Sequence, residues 1–195
     1  MSIEEMKLKL KNYLKPKRFA HSVKVMETAV RLSLRYGRDT GKAEIAGLLH
    51  DCARGMPGGD ILRLCGRYGI KTDYITEMQP ELLHGPVGSR VAKEDFGVDD
   101  REILDSIYWH TTGHADMGML EKIIFIADYT EPGRHFPGVE EIRTLAFTDI
   151  DRALVAALEA TIRHVMSRGA LLHPETVNAR NFIIASFHTT GGHNG

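Results

Sequence analysis

The chain has 195 residues, 43% of them hydrophobic and 26% charged, with a formal net charge of −1. That length suits one well-buried core, so a single domain over residues 1–195 is expected. The near-neutral charge excludes bulk electrostatic binding to nucleic acid or an anionic membrane, and any anionic ligand must be held by local groups.

Helical periodicity dominates from the start. Ile3, Met6, Leu10 and Leu14 lie on one stripe that Pro16 ends. From Phe19 to Tyr36 the set Val23, Met26, Val30 and Leu34 recurs at helical spacing, with Gly37 as a C-cap. The spacing predicts further helices over 42–52, over 61–68 with Asp60 as N-cap, and from Pro86 to about Phe96. It predicts others over 101–110 after Asp99 or Asp100, over Leu120–Tyr129, over 139–147 and over 149–168. Residues 80–85 read as an irregular approach, and 189–195 as a flexible tail. No alternating strand pattern or repeat occurs, so the expected fold is an all-α, compact helical bundle. An apolar face near Val155, Leu158 and Ile162 is core or a homodimer interface, and core is the reading taken.

Cys52 and Cys65 are too few and too far apart for a zinc knuckle or a disulfide framework, which points to a reduced compartment. Residues 1–18 are broken by lysines and lack the apolar stretch of a signal peptide. No segment approaches the roughly 20 apolar residues of a membrane span. The expectation is a cytoplasmic protein without membrane or nucleic-acid partners.

Chemistry concentrates in six residues: His21, His50, Asp51, His84, His110 and Asp128. His21 shares a helical face with Val25, Thr28 and Leu32. His110 follows Ile103 and Ile107 on an inward face, and Asp128 ends the apolar run Ile123-Ile124-Phe125-Ile126-Ala127. His50-Asp51 closes another apolar helix. An imidazole and a carboxylate side by side in an apolar setting are costly unless something binds them. Imidazole nitrogen with carboxylate oxygen and no thiolate suits Fe, Mn, Co or Zn in a reactive site. A bridging carboxylate with histidines on both sides suits two ions about 3.5–4 Å apart, which hold a bridging hydroxide and clamp phosphate oxygens. That is hydrolytic phosphoester or phosphoanhydride chemistry.

These residues resemble the HD superfamily of metal-dependent phosphohydrolases, in the order His21, His50-Asp51, Asp128. His84 and His110 match the two extra histidines of its two-metal subset. The runs Arg18-Phe19-Ala20-His21-Ser22, Leu83-His84-Gly85-Pro86, Trp109-His110-Thr111-Thr112-Gly113 and Ala127-Asp128-Tyr129-Thr130-Glu131-Pro132-Gly133-Arg134 are similar to one bacterial family. That family is the YqeK type of symmetrical diadenosine-tetraphosphate hydrolase, and the likeness covers residues from about 5 to 184. The resemblance implies an HD-type fold and an iron-dependent enzyme that takes a dinucleoside polyphosphate and cuts diadenosine tetraphosphate at its middle anhydride, releasing two ADP. It implies Asp51, His84 and His110 as catalytic groups among the six metal ligands. Arg18, His84, His110, Thr111, Thr112 and Arg134 are the expected phosphate contacts. One departure is Arg54, where the family often carries lysine three residues after the HD pair. The alternatives are an HD-type nucleotidase or phosphodiesterase on another nucleotide, and a non-catalytic nucleotide-sensing module. Lys15 to Arg18 form a small cationic cluster that reads as a solvated helix junction. Trp109 reads as core packing, His114, His135, His164 and His173 carry no supporting pattern, and His188 and His193 read as adventitious metal binders in the tail.

Overall fold

A computed structural model describes residues 1–190. Their regular structure is helical throughout: α1 (Ile3–Leu10), α2 (Pro16–Arg35), α3 (Thr40–Leu49), α4 (Gly58–Tyr68), α5 (Tyr74–Met78), a 3₁₀ turn (Pro80–Leu83), α6 (His84–Phe96), α7 (Arg101–Trp109), α8 (Met119–Thr130), α9 (Val139–Ala146), α10 (Ile150–Ser167) and α11 (Pro174–Thr190). This is the expected all-α class.

The order of burial explains the assembly. In α8, Leu120 and every residue from Ile123 to Ala127 are buried, so the helix is apolar on all sides and must be surrounded. It touches α2, α3, α7, α9 and α10. Around it α2 packs along α3, α6 along α7, and α10 against both α9 and α11. One continuous apolar cluster runs from Met6 in α1 to Ile183 in α11, with Leu158 in it and Val155 packed against it. None of the described helices is long and apolar enough to cross a membrane. Both cysteines are buried and free, and Cys52 Sγ donates to Gly88 O at 3.3 Å.

Several boundaries differ from the sequence expectation. α2 starts at Pro16, not Phe19, because a proline at the first helical position has no missing hydrogen bond to regret. α3 starts at Thr40 behind an Asp39 cap and ends at Leu49, so His50 is its C-cap residue. α4 starts at Gly58, and Asp60 lies inside its first turn, bonded to Arg63 at 2.7 Å, rather than capping it. Two helices carried no visible signal. α5 is five residues long. α11 buries Thr176, Ala179 and Ile183, a stripe too small and too polar to register as periodic hydrophobicity. Of the expected tail at 189–195, Thr189 and Thr190 continue α11, and 191–195, with His193, lie outside the described residues.

Ile124 is fully buried one turn before Asp128. Ile124→Ala should destabilise the protein by about 2–4 kcal/mol, seen as a lower urea midpoint at unchanged slope. A loss below about 0.5 kcal/mol, the usual size of a surface change, would contradict the central place of α8.

Candidate metal centre

Five helices converge on one point. His21 comes from the second turn of α2, His50 and Asp51 follow the last residue of α3, and His84 is the first residue of α6. His110 follows the last residue of α7, and Asp128 lies in the last turn of α8. His50 and His110 sit at helix C-termini, and His84 directly after the 3₁₀ turn, where backbone carbonyls are left without intrahelical partners. Each uses one. His50 Nδ1 donates to Gly47 O at 2.8 Å, His110 Nδ1 to Ile107 O at 2.7 Å, and His84 Nδ1 to Glu81 O, always three residues back. His21 Nδ1 is held by Glu131 Oε1 at 3.1 Å. A carbonyl or carboxylate oxygen only accepts, so Nδ1 carries the proton in every ring. In the neutral ring each Nε2 is then the lone pair, the tautomer and orientation a metal-ligating imidazole needs, and a second proton would sit there.

All four Nε2 atoms face Asp51. Its Oδ2 lies 3.7 Å from His21 Nε2 and 3.4 Å from His50 Nε2, and its Oδ1 lies 3.0 Å from His84 Nε2 and 3.7 Å from His110 Nε2. One carboxylate thus offers one oxygen to each histidine pair. Asp128 Oδ1 closes the first side, 2.9 Å from His21 Nε2 and 3.8 Å from His50 Nε2.

Two close approaches depend on missing side chains. A Cβ on Gly47 would stand 2.7 Å from Met26 Cα, so only glycine lets α3 settle on α2 and bring His50 to His21. A Cβ on Gly85 would stand 2.6 Å from Tyr108 O, so only glycine lets the start of α6 meet the end of α7. The result is His84 Nε2 at 2.9 Å from His110 Nε2.

Electrostatics point the same way. Burial alone would raise the Asp51 carboxyl, but the His50, His110 and His84 rings outweigh it and hold the group well below the usual carboxylate range. Asp128 is likewise held low against its burial, by His21, His50 and Arg134. Burial pushes His84 down. His50, fully buried, is raised instead, because Asp51 and Asp128 outweigh its desolvation. Around these six residues, Arg18 Nη1 donates to Asp51 Oδ2 at 2.7 Å, and Arg134 donates to Asp128 Oδ1 and, at 2.9 Å, to Asp128 O.

Two supporting residues were not singled out from the sequence. Glu131 fixes His21 and accepts from Gly133 N. Arg143 donates to the carbonyls of Thr130, Glu131 and Arg134 and so staples the loop that carries Glu131 and Arg134. Acid and base tags inside a Pro/Gly loop, with an arginine one helix later, were the available signal.

The other expected contacts are spread unevenly. Arg18, Thr111 and Arg134 line a cleft of about 260 Å³ over the centre, walled by Leu82, Phe125 and Tyr129. Thr111 Oγ1 lies 3.2 Å from His110 Nε2 and 3.3 Å from His84 Nε2. Thr112 does not line that cleft: its hydroxyl donates to Gly113 O, and it faces a neighbouring cavity with Trp109 and Leu82. Trp109 is half-buried there, its ring against Tyr108 and His114, rather than in the core. Arg54 donates to Glu81 O at 3.2 Å, the carbonyl that also holds His84. His114 is paired with Glu121 away from the centre.

The donor set fits a divalent metal. His21 Nε2 and His50 Nε2 are buried and have no hydrogen-bond partner among the described residues, although carboxylate oxygens lie close. Leaving a buried polar atom unsatisfied costs about 1–3 kcal/mol. The His84 and His110 lone pairs face each other at a distance that is repulsive unless a cation lies between them. His21, His50 and Asp51 form one group whose donor atoms lie within 4.8 Å of one another, Asp51, His84 and His110 a second, and His50, His110 and Asp128 a third that joins them.

Known proteins resemble this chain over most of its length. The HD domain family model matches residues 18–133. The chain is 38% identical to a symmetrical bis(5'-nucleosyl)-tetraphosphatase of Bacillus subtilis, over 95% of this chain and 99% of that one. It is 36% identical to a protein of the same description from Staphylococcus aureus, over 93% and 94% of the two chains. Among solved structures it is similar to a predicted HD superfamily hydrolase involved in NAD metabolism from Clostridium acetobutylicum, with a TM-score of 0.93, 45% identity, and 95% and 98% of the two chains covered.

Two outcomes follow from the geometry. Gly85→Ala should weaken metal affinity at least about tenfold, the scale of a disturbed support around a ligand, while the helical circular dichroism persists. Gly59→Ala, where an added Cβ meets nothing within 4 Å, should leave affinity unchanged. Equal affinities in the two variants would contradict the role of the close approach. Because His50 holds its proton above its ordinary value of 6.5, proton and metal compete at its Nε2, and affinity should fall as the pH drops from about 8 to about 6. Titration of the metal-free protein at the two pH values checks this, and equal affinity at both would contradict it.

Proposed function

The chain belongs to the HD-domain family and to its symmetrical bis(5'-nucleosyl)-tetraphosphatase branch, and from that premise we propose that it cleaves diadenosine tetraphosphate at the middle phosphoanhydride to give two ADP. The observation that carries this reading is the buried Asp51 carboxylate, with one oxygen turned to His21 and His50 and the other to His84 and His110. On this reading the carboxylate divides a site for two ions. His21, His50, Asp51 and Asp128 would hold one, and Asp51, His84 and His110 the second. Iron is the resident metal of this reading, with manganese, cobalt and zinc as chemically compatible substitutes.

Bound metal supplies a hydroxide nucleophile at neutral pH and takes up charge on the non-bridging phosphate oxygens. The protein does the rest by placement. Glu131, Gly47 O, Glu81 O and Ile107 O keep each ring proton on Nδ1, away from the reacting side. Arg134 and Arg18, forked cations at the mouth of the cleft, neutralise phosphate charge, and the Thr111 hydroxyl donates to a phosphate oxygen. The leaving group is a phosphate oxygen of ADP, a weak base. Charge neutralisation by the arginines, and not proton donation, is what its departure needs.

A non-catalytic nucleotide sensor would not need six intact ligands gathered around one carboxylate. The working compartment of this reading is the cytoplasm.

Anaerobic assay of the iron-loaded protein on diadenosine tetraphosphate, with products resolved by chromatography, should give ADP alone. AMP with ATP would overturn the position of the cut. Asp51→Ala should lose both bound metal and turnover, and a fully active Asp51→Ala would contradict the scheme.

A further inference from the structure

Beside the metal centre lies a second cavity, of about 570 Å³, whose rim carries Lys15, Lys17, Arg18, Lys24 and Arg134. Arg18 and Arg134 line this basin and the metal cleft alike, and the metal ligand His21 lines it too. The two spaces are therefore neighbours that share Arg18 and Arg134 as walls.

The basin breaks a local rule. Helix N-termini carry a partial positive charge and favour acids in the first turn. The first turn of α2 contains no acid, its N-cap residue Lys15 makes no side-chain cap, and Lys15, Lys17 and Arg18 bring three cations to the positive end. Among the described residues, Arg18 alone of Lys15, Lys17, Arg18 and Lys24 has an ion-pair partner, Asp51. The one acid in the lining, Glu131, is committed to His21 and Gly133 N. Such a set repels itself and opposes the helix dipole, and an anion resting there relieves both. Rule-breaking that lowers local stability is expected where a ligand binds.

This inference rests on the tetraphosphate reading above. A substrate with four phosphates in a row presents only its reacting phosphorus to the metals, and its other half must go somewhere. The metal cleft, at about 260 Å³, is too small for both halves. The neighbouring cavity lined by Tyr108, Trp109 and Pro86 sets Asp73 and Glu175 against Lys71 and His173, so it lacks the basin's excess of cations. We propose that the basin of Lys15, Lys17 and Lys24 seats the diphosphate of the ADP half that is not attacked. Two phosphates anchored there bring the third to the metal centre, so the basin sets the cut at the middle anhydride. It also neutralises the leaving ADP as its charge develops.

The test uses the full-length, metal-loaded protein and a substrate analogue with methylene in place of the middle anhydride oxygen. Binding is measured by calorimetry for wild type, for Lys17→Glu with Lys24→Glu, and for Lys17→Arg with Lys24→Arg. Charge reversal should weaken binding about tenfold to a hundredfold, given two exposed charges. The arginine pair should stay within about threefold of wild type, and wild-type affinity should fall with added salt. Unchanged affinity after charge reversal overturns the basin, while wild-type turnover leaves the enzyme reading intact. Equal losses in the glutamate and arginine pairs overturn it as well, since packing and not charge would then matter. Wild-type protein that neither binds the analogue nor hydrolyses diadenosine tetraphosphate overturns the enzyme reading, and the basin with it.

Discussion

The structure depends on a carboxylate that has no business being buried alone. Asp51 is 2% exposed and faces four imidazole nitrogens. An isolated carboxylate in such a place would take a proton, and the histidines around it prevent that by offering positive charge or, with metal bound, by sharing cations with it. The same arrangement leaves two ring nitrogens without partners and sets two others against each other. Stability and chemistry are thus coupled at one point, because what satisfies the Asp51 neighbourhood is also what reacts.

The fold around it is a way of bringing helix ends together. Loops could carry four histidines more easily, but not with fixed tautomers. Ending α3 and α7 just before His50 and His110, and starting α6 at His84, gives each ring a carbonyl three residues back to lean on. His21, inside α2, has no free carbonyl to use, and Glu131 takes that part from another segment. Arg143 then holds Glu131 and Arg134 through their backbone, so the loop after α8 is as constrained as the helices. Glycine at 47 and 85 removes the two side chains that would keep the helices apart.

Much of this was legible in the sequence, and the reason is periodicity. Val25, Thr28 and Leu32 are buried, so the face that points His21 inward was correctly read. Ile103 and Ile107 did the same for His110, and Ile124 for Asp128. What periodicity cannot carry was missed. α11 packs through Thr176 and Ala179, residues too small to mark a face, and α5 is shorter than any reliable repeat. Asp60 looked like a cap but Pro57 precedes the first turn. Glu131 and Arg143 work through contacts more than ten residues long in sequence, which no local pattern encodes. Lys15 to Arg18 looked like a solvated junction, and Lys24 was not singled out, because their common cavity exists only once α2 is set beside the loop at 131–134.

The central claim is that Asp51 divides the centre, one oxygen to each side. Anomalous diffraction at the absorption edge of the bound metal, from crystals of metal-loaded protein, tests it most directly. Two peaks should flank Asp51, one among His21, His50 and Asp128 and one beside His84 and His110. A single peak on the His21 side, with His84 and His110 bare at full metal loading, would contradict the account.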